Sequence, residues 1–407
     1  MTTRRHFLKT SIGSSAVVSL GTTAPAFLLN ACAADTRPDR ESILVVIQLS
    51  GGNDGLNTIA PFTDRTYQKA RPTLAVTPQD ALKINTTTGF HPAASGLASL
   101  LENDRLAILQ GVGYPNPNRS HFESMDIWHS CQRKTSSRQE GWLGRYLNQT
   151  QTDITSDLPA LHLGREKQPL ALTSRNIRVP SIQSVDRFRL RDNGQRLRKA
   201  VTEIGSINDS SGDDLLGFVR SSTGSALSAS KKIEAATGRY TTSTLWPEND
   251  LGRKLKTVAQ LIDSGMNTRI YYVTLDGFDT HARQAQAHAA LLRELSSALD
   301  AFVRDLDEHG HGDRVLTLTF SEFGRRLEEN ASNGTDHGAA APVFLAGNGV
   351  LPGLIGEHPD LQDLQDGDVK FHTDFRRVYA TVLDNWLGVD SSRILAGSFM
   401  PVTALKS

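Results

Sequence analysis

Hydrophobic and polar positions fall in alternating blocks along this chain. Short continuous apolar runs stand at residues 43–49 (ILVVIQL), 106–112 (LAILQGV), 269–275 (RIYYVTL), 314–320 (RVLTLTF) and 342–346 (PVFLA). Such runs read as strands buried on both faces. Between them, apolar residues recur at helical spacing over 91–104, about 120–131, 251–262, 282–306 and 375–387. Residues 158–172 read as a strand pair, and 190–240 as a polar, Ser-rich, mainly helical insertion. Strands alternating with helices predict an α/β fold: a mostly parallel sheet covered by helices on both faces. Right-handed crossovers would then put every strand's carboxyl end on one edge.

The N-terminal region follows a different pattern. Arg4 and Arg5 precede HFLK, and a weakly apolar stretch rich in Ala, Ser and Gly follows to about residue 29. These are the charged, apolar and small-residue regions of a secretory signal, and the arginine pair resembles a twin-arginine leader. The expected organisation is a signal over 1–34, a polar linker over 35–42, and a single domain over 43–404 carrying the insertion. Leu29-Asn30-Ala31-Cys32 resembles a lipobox, which would anchor the chain through a lipid on Cys32. Ala31-Cys32-Ala33 also reads as an ordinary cleavage site before Ala34. Either way the protein is expected in the periplasm or outside the cell. No later apolar run is long enough to span a bilayer.

Composition narrows the classes. The chain has 407 residues, with 44 basic and 44 acidic side chains, so nothing marks it as a polybasic nucleic-acid binder. Its 38% hydrophobic and 22% charged content excludes wholesale disorder. Only Cys32 and Cys131 are present, which excludes a disulfide scaffold and a cysteine-built zinc site.

Ionisable residues collect just past the strands. Asp54 follows the first; Ser120 and His121 follow the second. Asp279 and His281 follow another, then Ser321, Glu322 and Arg325, and Asp336 and His337 stand before the last. Open α/β sheets bind ligands outside the carboxyl ends of their strands. Carboxylates with neutral imidazoles suit a divalent ion: zinc, manganese, magnesium or calcium. The candidate ligands are Asp54, Asp279, His281, Glu322, Asp336 and His337. Asp279 and His281, two apart, face the same side of an extended segment. Ser120 either caps a helix or acts as a nucleophile at its positive end, with His121 or Arg325 orienting an oxyanion. Each segment also has an ordinary reading. Asp54 can satisfy turn amides, His281 can be a solvated helix start, and Glu322 and Arg325 can pair on a helix surface.

Taken in order, ILVVIQLSGGNDGLNT, NRSHFESMDIWHS, TLDGFDTH, LTFSEFGRR, GTDHGAAAPVFLAG and DFRRVYATVLDNWLGV resemble the bacterial domain-of-unknown-function family numbered 1501. That family is grouped with the alkaline phosphatase and sulfatase superfamily. The resemblance implies an alkaline-phosphatase-like sheet, metal ligands at strand ends and a nucleophile at a helix start. It puts Asp54, Asp279, His281 and His337 at ligand positions and Ser120 at the nucleophile's. Two departures stand out: Ser321-Glu322 replaces the superfamily's Asp-His pair, and Ser120 lacks the Cys-x-Pro-x-Arg context of formylglycine sulfatases. The implied activity is a metal-dependent hydrolase acting on phosphate or sulfate esters, borne on small molecules or polymers. The alternative is a non-catalytic exported binding or assembly protein on the same fold.

Overall fold

The computed structural model describes residues 42–133, 138–150, 158–182 and 240–406. The leader, Cys32, the linker up to residue 41 and the insertion up to residue 239 lie outside the described residues. The main sheet has nine strands. They are β1 (Ile43–Ser50), β2 (Leu106–Gly113), β3 (Ala160–Leu163), β4 (Ser181–Ile182), β5 (Ile270–Asp276), β6 (Val315–Ser321), β7 (Ala341–Ala346), β8 (Gly353–Ile355) and β9 (Thr373–Asp374). Their order is β8-β2-β7-β6-β1-β5-β3-β4, with β9 beside β2. β1 pairs in parallel with β5 on one side and β6 on the other, Leu49 lying opposite Leu275 and Ser321.

β7 is the exception to the parallel sheet. It runs antiparallel to both β2 and β6. The strands' carboxyl ends therefore do not all share one edge, as the crossover argument expected. The reversal has a consequence for the site. The start of β7 lies at the edge where β1, β5 and β6 finish, so residues just ahead of it arrive there too.

Helices cover both faces. The principal ones are α1 (Ser95–Glu102), α2 (His121–Ser130), α3 (Trp142–Thr150), α4 (Asp250–Asp263), α5 (Gln284–Glu308) and α6 (Phe375–Ala380). Along β1, Ile43, Val45, Ile47 and Leu49 pack against α1, α4 and α5, while Leu44 and Val46 face α2, α3 and α6. Two-faced burial is why these strands read as unbroken apolar runs. α2 is pinned by Trp128, which stacks on Phe320 of β6 at 5.0 Å and on Phe375 at 4.4 Å. It ends at Cys131 in a left-handed conformation (φ 60°), with the thiol buried.

Two expectations shift. Only the first half of 158–172 is a strand; after Pro169 the chain makes a short 3-10 turn, Leu170–Leu172, and β3 pairs instead with Ser181–Ile182. The closing helix is α-helical only to Ala380 and continues as a π-helix over Thr381–Trp386. Among the described residues no helix is long and apolar enough to cross a membrane.

Candidate metal centre

The turn after β1 fixes one wall of the site. Gly51 and Gly52 adopt φ of 117° and 82°, conformations that side-chain-bearing residues rarely reach. A Cβ on Gly51 would lie 2.3 Å from the Asp279 nitrogen, so glycine is what lets the Asp279 segment approach. The Gly51 amide donates to Glu322 Oε1 at 2.9 Å, and the Asn53 amide to Ser321 Oγ at 2.9 Å. The ends of β1 and β6 are thereby tied together. The start of α2 joins them: Ser124 Oγ donates to the Glu322 carbonyl at 2.6 Å.

Three imidazole nitrogens then gather around one carboxylate oxygen. Asp279 Oδ1 lies 3.1 Å from His281 Nε2, 3.1 Å from His337 Nε2 and 3.4 Å from His121 Nε2. The Nε2 atoms of His281 and His337 are 2.9 Å apart. Behind each ring, Nδ1 meets an oxygen. His121 Nδ1 lies 2.9 Å from Glu322 Oε1, His337 Nδ1 2.7 Å from the Arg119 carbonyl, and His281 Nδ1 3.4 Å from Asp336 Oδ1. A carboxylate or carbonyl can only accept, so Nδ1 is the donor and, in the neutral imidazole, Nε2 is left with a lone pair. His121 Nε2 is buried and has no hydrogen-bond partner. Ligand atoms about 2.0–2.1 Å from a tetrahedral ion are about 3.3 Å from one another, close to the separations of Asp279 Oδ1 from the three Nε2 atoms. The donor set, with its orphaned nitrogen and oriented rings, fits a divalent ion. His121, Asp279 and His337 form its compact core.

The charges are held accordingly. Partial burial works to raise the Asp279 pKa, but the hydrogen bond from Arg325, with the His337 imidazole and the Arg325 charge beside it, outweighs burial and holds the group at about 2. The hydrogen bond to Glu322 raises the His121 pKa above the usual histidine value, against burial. The Asn330 amide, then His281, lowers that of Asp336.

The structure thus brings together Asp279, His281 and His337 of the expected ligands and sets the others apart. Glu322 and Asp336 stand behind histidines and orient them. Asp54 is turned elsewhere: its Oδ2 pairs with Arg71 at 2.6 Å, both side chains wholly buried, and also accepts from Gln284. Its Oδ1 takes the Asn57 amide. Burial works to raise its pKa, but the charges of Arg71 and His288 bring it below the usual value. Arg325 is not aimed at an oxyanion. Its guanidinium is taken by the carbonyls of Gly51, Gly52, Phe278 and Thr335 and by Asp279, which it positions. Ser120 is the exposed N-cap of α2, in extended conformation, and its hydroxyl makes no capping bond. His121, expected only as an orienting group, stands among the convergent atoms. The signal for it was its place beside Ser120 at the end of β2, and nothing local separated a ligand from an orienting role.

A mostly parallel α/β sheet with a histidine-carboxylate centre past its strand ends defines the class. The family described as protein of unknown function (DUF1501) matches residues 107–399, and the chain belongs to that family. No curated protein matches the sequence. Solved structures of similar shape include the lipooligosaccharide phosphoethanolamine transferase A of Neisseria meningitidis: TM-score 0.42, 10% identity, covering 98% of this chain and 66% of that one. This chain thus spans just under two thirds of that protein. A sulfatase from Pseudoalteromonas sp. aligns with TM-score 0.41 and 11% identity, over 96% of this chain and 78% of its own. A protein in the alkaline phosphatase superfamily from Vibrio parahaemolyticus aligns with TM-score 0.40 and 10% identity, over 88% and 70%.

Proposed function

We propose that the protein is an exported, metal-dependent hydrolase of phosphate or sulfate esters, carried out of the cell by its twin-arginine-type leader. One observation carries the reading. Asp279 Oδ1 lies within 3.4 Å of three imidazole Nε2 atoms, of which those of His121 and His337 form one compact group with it, and every imidazole is held from behind through Nδ1. Lone pairs 2.9 Å apart repel unless a proton or a cation lies between them. Carboxylate–histidine pairs of this kind are the usual outer support of a metal-ligating imidazole. Imidazole nitrogens beside a carboxylate favour zinc over magnesium or calcium, which prefer all-oxygen shells.

A divalent ion bound there would act as a Lewis acid on the ester and neutralise charge that develops on the transferring group. The chain's own residues supply the rest. Ser120 offers a hydroxyl that caps nothing, at the positive end of a ten-residue helix. The same peptide segment is held against the centre, because the carbonyl before Ser120 accepts from His337. Attack by Ser120 Oγ on phosphorus or sulfur would break the bond to the ester's alcohol, which leaves with the serine proton, and water would then hydrolyse the serine ester. The negative charge of the transferring group lies at the N-terminus of α2, which suits an anion. Arg325 and Glu322 keep Asp279 and His121 in place throughout.

The test is elemental analysis of residues 35–407 purified without chelator. The expected result is a tightly held divalent ion, absent from Asp279→Ala. A folded chain that takes up no zinc, manganese, magnesium or calcium would overturn the reading and return the non-catalytic binding role.

A further inference from the structure

The side of α2 that carries His121, Phe122, Met125 and His129 borders an open cleft of 390 Å³, which lies between it and residues 167–173. His121 and Glu322 line its inner end, so the cleft runs directly up to the group that orients the centre. Phe122 and Met125 form one wall, Leu170 belongs to the other, and Gln48 of β1 and His129 of α2 also line the cleft. Phe122 immediately follows His121, yet its ring is 87% exposed and packs on no core cluster. Met125, one turn on, is only partly buried. The inner polar groups are held rigid: His129 Nε2 lies 2.9 Å from Gln48 Oε1 and 3.1 Å from Tyr272 Oη, and Tyr272 Oη donates to the same Gln48 oxygen at 2.5 Å. With its oxygen committed twice, Gln48 has its amide N–H₂ as the group left to offer.

Small-molecule sites are concave, mainly apolar and carry a few fixed polar groups, with volumes of about 300–1,000 Å³. This cleft has the volume and the fixed polar groups, takes its apolar surface from Phe122, Met125, Pro169 and Leu170, and opens onto the proposed centre. A solvent-exposed aromatic ring beside it has no folding role to explain it, and exposed aromatic faces stack on rings. We infer that the cleft is the leaving-group subsite. It takes a cyclic leaving group with an apolar face for Phe122 and a hydrogen-bond acceptor for the amide of Gln48. This rests on the hydrolase reading above. An aromatic ring and a pyranose share that chemistry.

Non-hydrolysable phosphonates test it on the metal-loaded full-length mature chain. Phenylphosphonate and methylphosphonate carry the same anion and differ only in the ring, and calorimetry reads their affinities without turnover. The subsite predicts that phenylphosphonate binds about tenfold tighter, and that Phe122→Ala removes the preference while metal content stays at the wild-type level. Leu245→Ala, which trims another exposed apolar residue (93%) that does not line this cleft, should keep it. Comparing kcat/KM for phenyl phosphate and glucose 6-phosphate, each relative to methyl phosphate, then separates an aryl from a pyranose occupant. Equal affinity for the two phosphonates, or a preference that survives Phe122→Ala, would overturn the subsite and leave the centre standing. A chain without metal that binds neither phosphonate would overturn the centre, and the subsite with it.

Discussion

Glu322 Oε1 and His121 Nδ1 lie 2.9 Å apart, and the same oxygen accepts the Gly51 amide at 2.9 Å. One buried carboxylate oxygen therefore joins the turn after β1 to the first residue of α2. It also sets which nitrogen of His121 faces the centre. Glu322 comes directly after β6, so three segments far apart in sequence are brought to one point by a single side chain.

Glu322→Gln keeps the shape and one acceptor but removes the charge. Metal affinity is expected to fall about 10–100-fold, the usual cost of losing a partner behind a ligating histidine. His121 should also titrate at lower pH in the metal-free protein, because the Glu322 hydrogen bond is the main cause of its raised value. Competition titration with a chelator measures the first effect, and histidine-resolved NMR titration the second.

Metal binding should depend on pH with a definite sign. The His121 pKa is raised, so its Nε2 carries a competing proton up to a higher pH than an ordinary histidine would. Affinity is expected to drop as pH falls through that raised value. Asp279, held at about 2, stays anionic over the whole range and contributes no slope. Zinc affinity measured between about pH 5.5 and 8 checks this, since only the imidazoles titrate there. A flat profile would contradict it.

The buried pair Arg71–Asp54 yields a stability prediction. The folded pKa of Asp54 is depressed, so its contribution is present above the unfolded value of 3.8 and is lost as pH falls through the folded value. Arg71→Met leaves a buried carboxylate without its partner. The expected cost near neutral pH is about 3–5 kcal/mol. Burial then dominates and lifts the Asp54 pKa above the unfolded value, so the sign reverses: this variant should recover stability on mild acidification, where the wild type gains nothing from Asp54. Urea midpoints at several pH values read both effects.

Much of this was legible in the chain. The apolar runs at 43–49, 106–112, 269–275, 314–320 and 342–346 are strands because two-faced burial demands unbroken apolar residues. The 282–306 pattern is the long helix α5. That Asp279, His281 and His337 would meet also followed from their places at strand ends. What stayed hidden was set by tertiary partners. Asp54 sits where a ligand was expected, but Arg71, seventeen residues on, reaches it through the fold, and no local pattern announces that pairing. Arg325 resembled an anion-binding group until four backbone carbonyls were seen to occupy it. The reversal of β7 left no mark, because a buried strand has the same composition in either direction.

Ser120 gives the decisive variant for chemistry. Its hydroxyl makes no capping hydrogen bond and the residue is exposed, so Ser120→Ala should change stability by no more than about 0.5 kcal/mol, as for an uninvolved surface site. A serine that served only as a cap would instead cost about 1 kcal/mol on removal. Metal content should be unchanged, because none of the convergent atoms belongs to Ser120. Ester turnover should fall to background, because the attacking oxygen is gone while the centre remains. Thermal unfolding, elemental analysis and hydrolysis assays on the same preparation separate the three quantities. Full turnover in a stable, metal-loaded Ser120→Ala protein would remove the serine from the reaction and leave a metal-activated water as the attacking group, without disturbing the ligand assignment.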